Sequence, residues 1–141
     1  MIRIALGVIA GFFAWLVLWI GIEKILSAAM PEWFGAPQAA FQDVIENGPG
    51  AAGFTAVAHL LVVHVIIASI VALTAGFVSA AVSRENKRAP ITLGILLLVI
   101  GLLKVMMSWP HVPLWYHVAF TAVLLPMAIL GGRLKRFNST H

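Results

Sequence analysis

Long apolar runs alternate with short polar breaks along this chain. Four runs can each cross a bilayer, whose ~30 Å hydrocarbon core takes about 20 helical residues. They cover residues 4–29, 52–82, 90–108 and 114–131. The pattern predicts an all-α membrane protein: one integral domain over 1–141, built as a four-transmembrane-helix up-down bundle. A short interfacial helix is predicted in the first outer loop, over residues 37–47. There Ala40, Phe41, Val44 and Ile45 share one side, and Gln38, Gln42, Asp43, Glu46 and Asn47 the other. Pro37 suits a first helical position and Asn47-Gly48 a stop. A helix of this length is expected to lie in the interface plane.

Small residues recur at helical spacing within the runs. Gly7, Gly11 and Ala14 form one such stripe, Ala68, Ala72, Ala75 and Ser79 a second, and Gly94, Gly101 and Ser108 a third. Stripes of this kind let helix backbones approach closely in a membrane. The third stripe predicts that Gly101→Leu is more disruptive than Leu97→Ala. His64 falls near the second stripe, whereas His59 lies about 140° round the helix from it. Pro126 is expected to kink the last span, and Gly131-Gly132 to end it.

Composition excludes an ordinary soluble fold. The chain of 141 residues is 62% hydrophobic and 10% charged, where soluble domains average about 25% charged. There is no cysteine, so no disulfide, thiol nucleophile or cysteine metal site is available. Arg3 with its apolar run, followed by Ser27-Ala28-Ala29, has the outline of a signal peptide. The run is longer than the ~7–15 apolar residues of such peptides, so a retained first span is expected.

Charge gives the orientation. Arg3, Arg84, Lys87, Arg88, Arg133, Lys135 and Arg136 fall on one side, seven of the nine basic residues. Positive-inside then predicts a multi-pass protein of the cell (inner) membrane with both termini cytoplasmic. Residues 30–50 and the 109–113 turn would face outward, with Trp33, Trp109, Trp115 and Tyr116 as an outer aromatic belt. The Asn138-Ser139-Thr140 acceptor pattern falls on the cytoplasmic side and is set aside. Packing and lipid contact account for Trp15, one turn from Trp19.

Candidate chemistry is densest at 104–117, a tight connection holding a lysine, two histidines, two tryptophans and a tyrosine. With the outer boundary near Ser27, Ala52, Ser108 and Val112, Glu23, Lys104 and His117 each lie ~6–8 Å inside it, His59 ~10 Å and His64 ~18 Å. Ionisable groups at such depths need a partner or a water-filled cavity. Glu23, His64, Lys104 and His117 therefore form the candidate polar site, with Glu23 and Lys104 expected to approach one another. His111, in the turn, is expected to be solvated.

Three functional readings follow. In the first, the protein is a non-enzymatic structural or accessory subunit whose polar layer specifies helix pairing. In the second it is a transporter or channel component with an outward-facing polar vestibule, and His64 is a proton-sensitive gate, since imidazole titrates near ~6.5. In the third it is a haem b electron carrier with His59 and His117 as axial ligands. No His-Glu-x-x-His or Gly-x-Ser-x-Gly motif supports hydrolase chemistry, and no inverted repeat relates the two hairpins. The expected partners are the lipid bilayer and a second copy or other membrane subunits, with no nucleic acid.

Overall fold

A computed structural model describes residues 1–47, 58–85, 87–108 and 114–134, and only the backbone of 44–47, 105, 107 and 108. These residues are almost all helical, with no strand among them: α1 is Ile2–Ala29, α2 Ala36–Asn47, α3 Ala58–Ser83, α4 Arg88–Ser108 and α5 Leu114–Leu134. Among the described residues α1, α3 and α5 are long and apolar enough to cross a membrane. Their outward surfaces are apolar as well. Ile9, Phe13 and Val17 on α1, Val62, Ile66 and Ile70 on α3, and Val118 and Leu130 on α5 are all exposed. A protein bathed in water would not carry such continuous apolar area, so a membrane location follows.

The centre of the molecule is α3. It packs on α1 and on α5, while α4 lies chiefly against α5 and also meets α1. The small-residue stripe of α3 is its buried face, for His64, Ala68, Ala72, Ala75 and Ser79 are all sealed from solvent. On α1, Gly7 and Gly11 face it. A Cβ at Gly7 would meet the Ser79 carbonyl oxygen at 2.6 Å, and one at Gly11 the Ala75 carbonyl oxygen at 2.9 Å. The pairings run in opposite chain directions, so α1 and α3 are antiparallel.

The closest approach among the described residues lies elsewhere, between α3 and α5. A Cβ on Gly76 would strike the Ala128 carbonyl, and a Cβ on Gly131 the Leu73 carbonyl, backbone against backbone in both cases. Gly131 is thus a packing residue inside α5, not the helix end that the Gly131-Gly132 pair suggested; the helix runs on to Leu134. The Gly94/Gly101 stripe is looser. A Cβ at either position would meet the tip of a leucine, Leu125 Cδ1 at 2.6 Å or Leu124 Cδ1 at 2.7 Å, and such tips can turn aside. Leu97, by contrast, is fully buried. For a single added Cβ, Gly101→Ala therefore ranks below Leu97→Ala.

One further boundary differs from the sequence pattern. The basic connection between α3 and α4 shrinks to residues 84–87, because Ser83 ends one helix and Arg88 begins the next. Arg84 takes the left-handed conformation, φ 56°, and the chain reverses. The Glu85 carboxylate then accepts the backbone N–H groups of Lys87 at 2.8 Å, Arg88 at 2.7 Å and Ala89 at 3.0 Å. These are the donors that a helix start leaves unsatisfied. Partial burial pushes the Glu85 carboxyl up, but those three N–H groups and the Arg88 charge outweigh it and hold it below 4.5. A lowered folded value means that the cap contributes fully above the ordinary carboxylate range and fades as pH falls through the folded value. Glu85→Ala should lower thermal stability in detergent by about 1 kcal/mol at neutral pH and by less at pH ~3. An equal loss at both pH values would remove the carboxylate from this role.

The described part of α3 begins at Ala58. Residues 52–57 lie outside the described set, as do the 109–113 turn with Trp109 and His111, and the basic tail with Lys135 and Arg136.

Candidate functional site

The cluster begins with a break in the chain. Met30 leaves the helical conformation before Pro31, and a single π-helical turn over Pro31–Gly35 follows. The N–H groups of Phe34 and Gly35 both return to the Met30 carbonyl, at 2.8 and 3.1 Å. Gly35 passes so close to α1 that a Cβ there would sit 3.1 Å from the Ser27 carbonyl oxygen. The turn thereby folds α2 back over the ends of the long helices. Phe34 and Phe41 enter the core with no exposed surface, and Gln38 goes in with them at 6%.

This corrects the expected facing of α2. Gln38 is not turned to solvent with Asp43, although Gln42, four residues on, lies beside it. It lies one turn from Phe41, on the face that α2 presents to the core, as residues three apart in a helix must. Its amide then bridges two helices. Gln38 Nε2 donates to Glu23 Oε1 at 3.1 Å, and Gln38 Oε1 lies 2.7 Å from His64 Nε2. His64 Nδ1 is 3.4 Å from the Tyr116 hydroxyl.

One assignment satisfies all three contacts. Tyr116 donates to His64 Nδ1, His64 donates from Nε2–H to the Gln38 carbonyl, and Gln38 donates to the Glu23 carboxylate. The amide must turn its NH2 toward the carboxylate, which accepts only, and that choice fixes the histidine tautomer. Every dipole in the chain points toward Glu23, so each bond polarises the next in a water-poor setting. The carboxylate also accepts from the Trp19 indole and feels the Lys104 ammonium. His64 Nε2 is itself 3.7 Å from Glu23 Oε1.

Lys104 completes the group from α4. Its Nζ lies over the faces of Phe120 at 4.7 Å, Trp19 at 4.9 Å and Phe41 at 5.6 Å. Ring faces carry negative quadrupole density and attract a cation. Glu23 and Lys104 thus act on each other within one aromatic box, and each of the five helices contributes a polar side chain: Glu23, Gln38, His64, Lys104 and Tyr116.

Of the four residues expected from sequence, Glu23, His64 and Lys104 meet here. His117 is buried at the edge, its ring 6.0 Å from that of Tyr116. His64 does not lie deeper than the others, as a count from position 52 implied: its Nε2 stands 3.7 Å from Glu23 Oε1, so the two share a level. His59 stands apart: its ring stacks on Trp33 at 4.6 Å, and Nε2 is 2.7 Å from the Trp33 carbonyl oxygen. A haem carried on His59 and His117 would have to displace that contact.

Sequence reasoning missed Gln38 and Tyr116. Tyr116 was expected in the outer aromatic belt, yet it is 1% exposed, while Trp33 and Trp115 are 45% and 47% exposed. A usable signal existed. Tyr116, Phe120, Leu124 and Ala128 recur every four residues, the spacing of a single buried helix face.

The arrangement can hold a carboxylate and an ammonium together in apolar surroundings and can tie α2 to α1 and α3. An open groove of about 800 Å³ reaches Glu23 from the outside, lined also by Lys24, Ser27, Gln38 and Gln42. Among the described residues no group of three or more His, Cys, Asp or Glu side chains is disposed to hold a metal ion. No family model, curated protein or solved structure matches this chain.

Proposed function

We propose that this is a four-span protein of the cell membrane in which α1, α3, α4 and α5 cross alternately up and down, both termini lie in the cytoplasm, and α2 caps the outer end at the interface. Its role is that of a non-enzymatic structural or accessory subunit, held in the bilayer and available to a second copy or to other membrane subunits. The observation that carries this reading is the Gln38 bridge. The amide of the cap satisfies Glu23 and His64 at once, so the polar layer is engaged in fixing which helices pair and where the cap sits. The antiparallel contacts of α1 with α3 support the alternating topology, and the 21-residue α4 is long enough, at ~1.5 Å per residue, for a fourth crossing. The seven basic residues support the orientation.

Reporter fusions at His141 and within residues 36–47 should report opposite sides of the membrane, with His141 cytoplasmic. A reporter at His141 that reads outside overturns the topology. A second reading, a transporter or channel component, is favoured by the groove that ends at Glu23. Purified protein in proteoliposomes separates the two: the subunit reading expects proton and cation flux equal to empty vesicles, and flux that Glu23→Gln abolishes would establish the transport reading in its place.

A further inference from the structure

At the end of the bundle away from α2, a pocket of about 330 Å³ opens between α4 and α5, lined by Lys87, Ile91, Ile129 and Arg133. The two helices meet antiparallel, since Gly94 faces Leu125 and Ala128 whereas Gly101 faces Leu124 and Phe120. The start of α4 therefore lies beside the end of α5. Both helices repeat one arrangement there. Lys87 stands one turn beyond Ile91, and Arg133 one turn beyond Ile129, and residues four apart share a helix face. The Ile91 N–H returns to the Lys87 carbonyl at 3.2 Å, so Lys87 already follows the helical course. The pocket is thus cationic toward the end of the bundle and apolar toward its middle.

Lys87 and Arg133 are exposed, and the two isoleucines are half-buried. Neither cation has an acidic partner among the described residues. Four of the five acids, Glu23, Glu32, Asp43 and Glu46, belong to the end that α2 covers. The fifth, Glu85, is engaged at the start of α4, where it accepts three N–H groups at 2.7 to 3.0 Å and opposes Arg88. That cap takes the backbone donors that a helix start would otherwise offer an anion, so recognition falls to the two side chains. Beyond the isoleucines the seam continues as apolar surface, with Ile95 exposed on α4 and Leu125 half-buried on α5. A soluble anion gains nothing from that surface. An anion that carries an acyl chain gains from the cations and from the seam together.

We propose that this pocket is a site for an anionic phospholipid, its phosphate held between the Lys87 ammonium and the Arg133 guanidinium and one acyl chain lying over Ile91 and Ile129 along the α4–α5 seam. The guanidinium can meet two phosphate oxygens at once, and the ammonium supplies a compact charge beside them. A zwitterionic headgroup brings a cation of its own, which the same two groups repel. The inference rests on α4 lying in the bilayer beside α5 and holds for either orientation. It goes beyond the subunit role and uses no part of the Gln38 bridge.

The test is binding of phosphatidylglycerol to the full chain in neutral detergent, with phosphatidylcholine of the same chains and glycerol 1-phosphate as competitors. The expected result is saturable one-to-one binding that neither competitor displaces. Lys87→Gln/Arg133→Gln should weaken it about thirtyfold, roughly fivefold for each cation, while melting like the parent in lipid-free detergent. Arg3→Gln/Arg84→Gln, which removes the same charge from the same end but outside the pocket, should leave it nearly unchanged. Equal weakening by the two double variants would show diffuse attraction to a basic surface and overturn the site. Displacement by phosphatidylcholine would show a groove for acyl chains alone, and displacement by glycerol 1-phosphate an anion site that takes no lipid. The competition arms need no variant, so they decide the matter even where a substitution disturbs the fold. A reversed orientation in the reporter fusions would overturn the topology and leave this binding as expected.

Discussion

Gly131→Leu should destabilise the protein more than any other single substitution in its helix seams, by about 3 kcal/mol, at the upper end of overpacking costs. The reason is what the new side chain would meet. Even a Cβ at Gly131 would lie 2.7 Å from the Leu73 carbonyl carbon and 3.0 Å from its Cα. Backbone cannot turn aside as a side chain can, so α3 and α5 would have to separate, and with them the contact that holds Tyr116 against His64. Leu97→Ala should come next, at about 2–3 kcal/mol, because it empties a fully buried site. Gly101→Ala should come last, since Leu124 Cδ1 can rotate away. Thermal melts of the three variants in one detergent give the order directly. A Gly131→Leu protein that melts with the parent would place α5 in a different rotation against α3.

The second large effect belongs to the charged pair. Lys104→Met alone should cost about 3 kcal/mol, because it leaves the Glu23 carboxylate in an apolar box without its counter-charge. Glu23 keeps a side-chain exposure of 15%, which places the loss at the lower end of the range for buried pairs. Glu23→Gln alone should also destabilise, since it strands the ammonium and replaces the acceptor on which the chain from Tyr116 through Gln38 converges. In the double variant no charge is left behind, so the two losses should add to clearly more than the double loss. The coupling between neighbouring groups of this kind is about 0.5–3 kcal/mol. The readout is a double-mutant cycle on melting temperature, with circular dichroism to establish that each variant retains its helices. Additive losses would show that each residue is satisfied independently, Lys104 by the rings and Glu23 by Gln38 and water in the groove.

Much of this was legible from the sequence by itself, for a definite reason. Apolar run length maps onto helix length through a fixed rise per residue, so the long helices could be read directly, and α1, α4 and α5 begin and end within three residues of their sequence boundaries. A buried stripe of small residues maps onto a contact face through a fixed angle per residue. That rule put His64 on the inner side of α3 before any fold was known. The helical character of 37–47 was equally local, resting on Pro37, the apolar spacing and the Asn47-Gly48 stop.

What only the tertiary structure decided was register and facing between elements. Helical periodicity says which residues share a face. It does not say how far one helix slides along the next, so His64 was placed deeper than Glu23 until the two were seen 3.7 Å apart. Nor does it say which face of a short, mixed helix turns inward. On α2 the choice was made by the π-helical turn at Pro31–Gly35, which brings Phe34 and Phe41 down onto the core and carries Gln38 with them. Once buried, that amide had to find partners, and Glu23 and His64 stood within reach. The Gly76 and Gly131 contacts were hidden for the same reason: two glycines far apart in sequence mark a seam only when the backbones they touch are known.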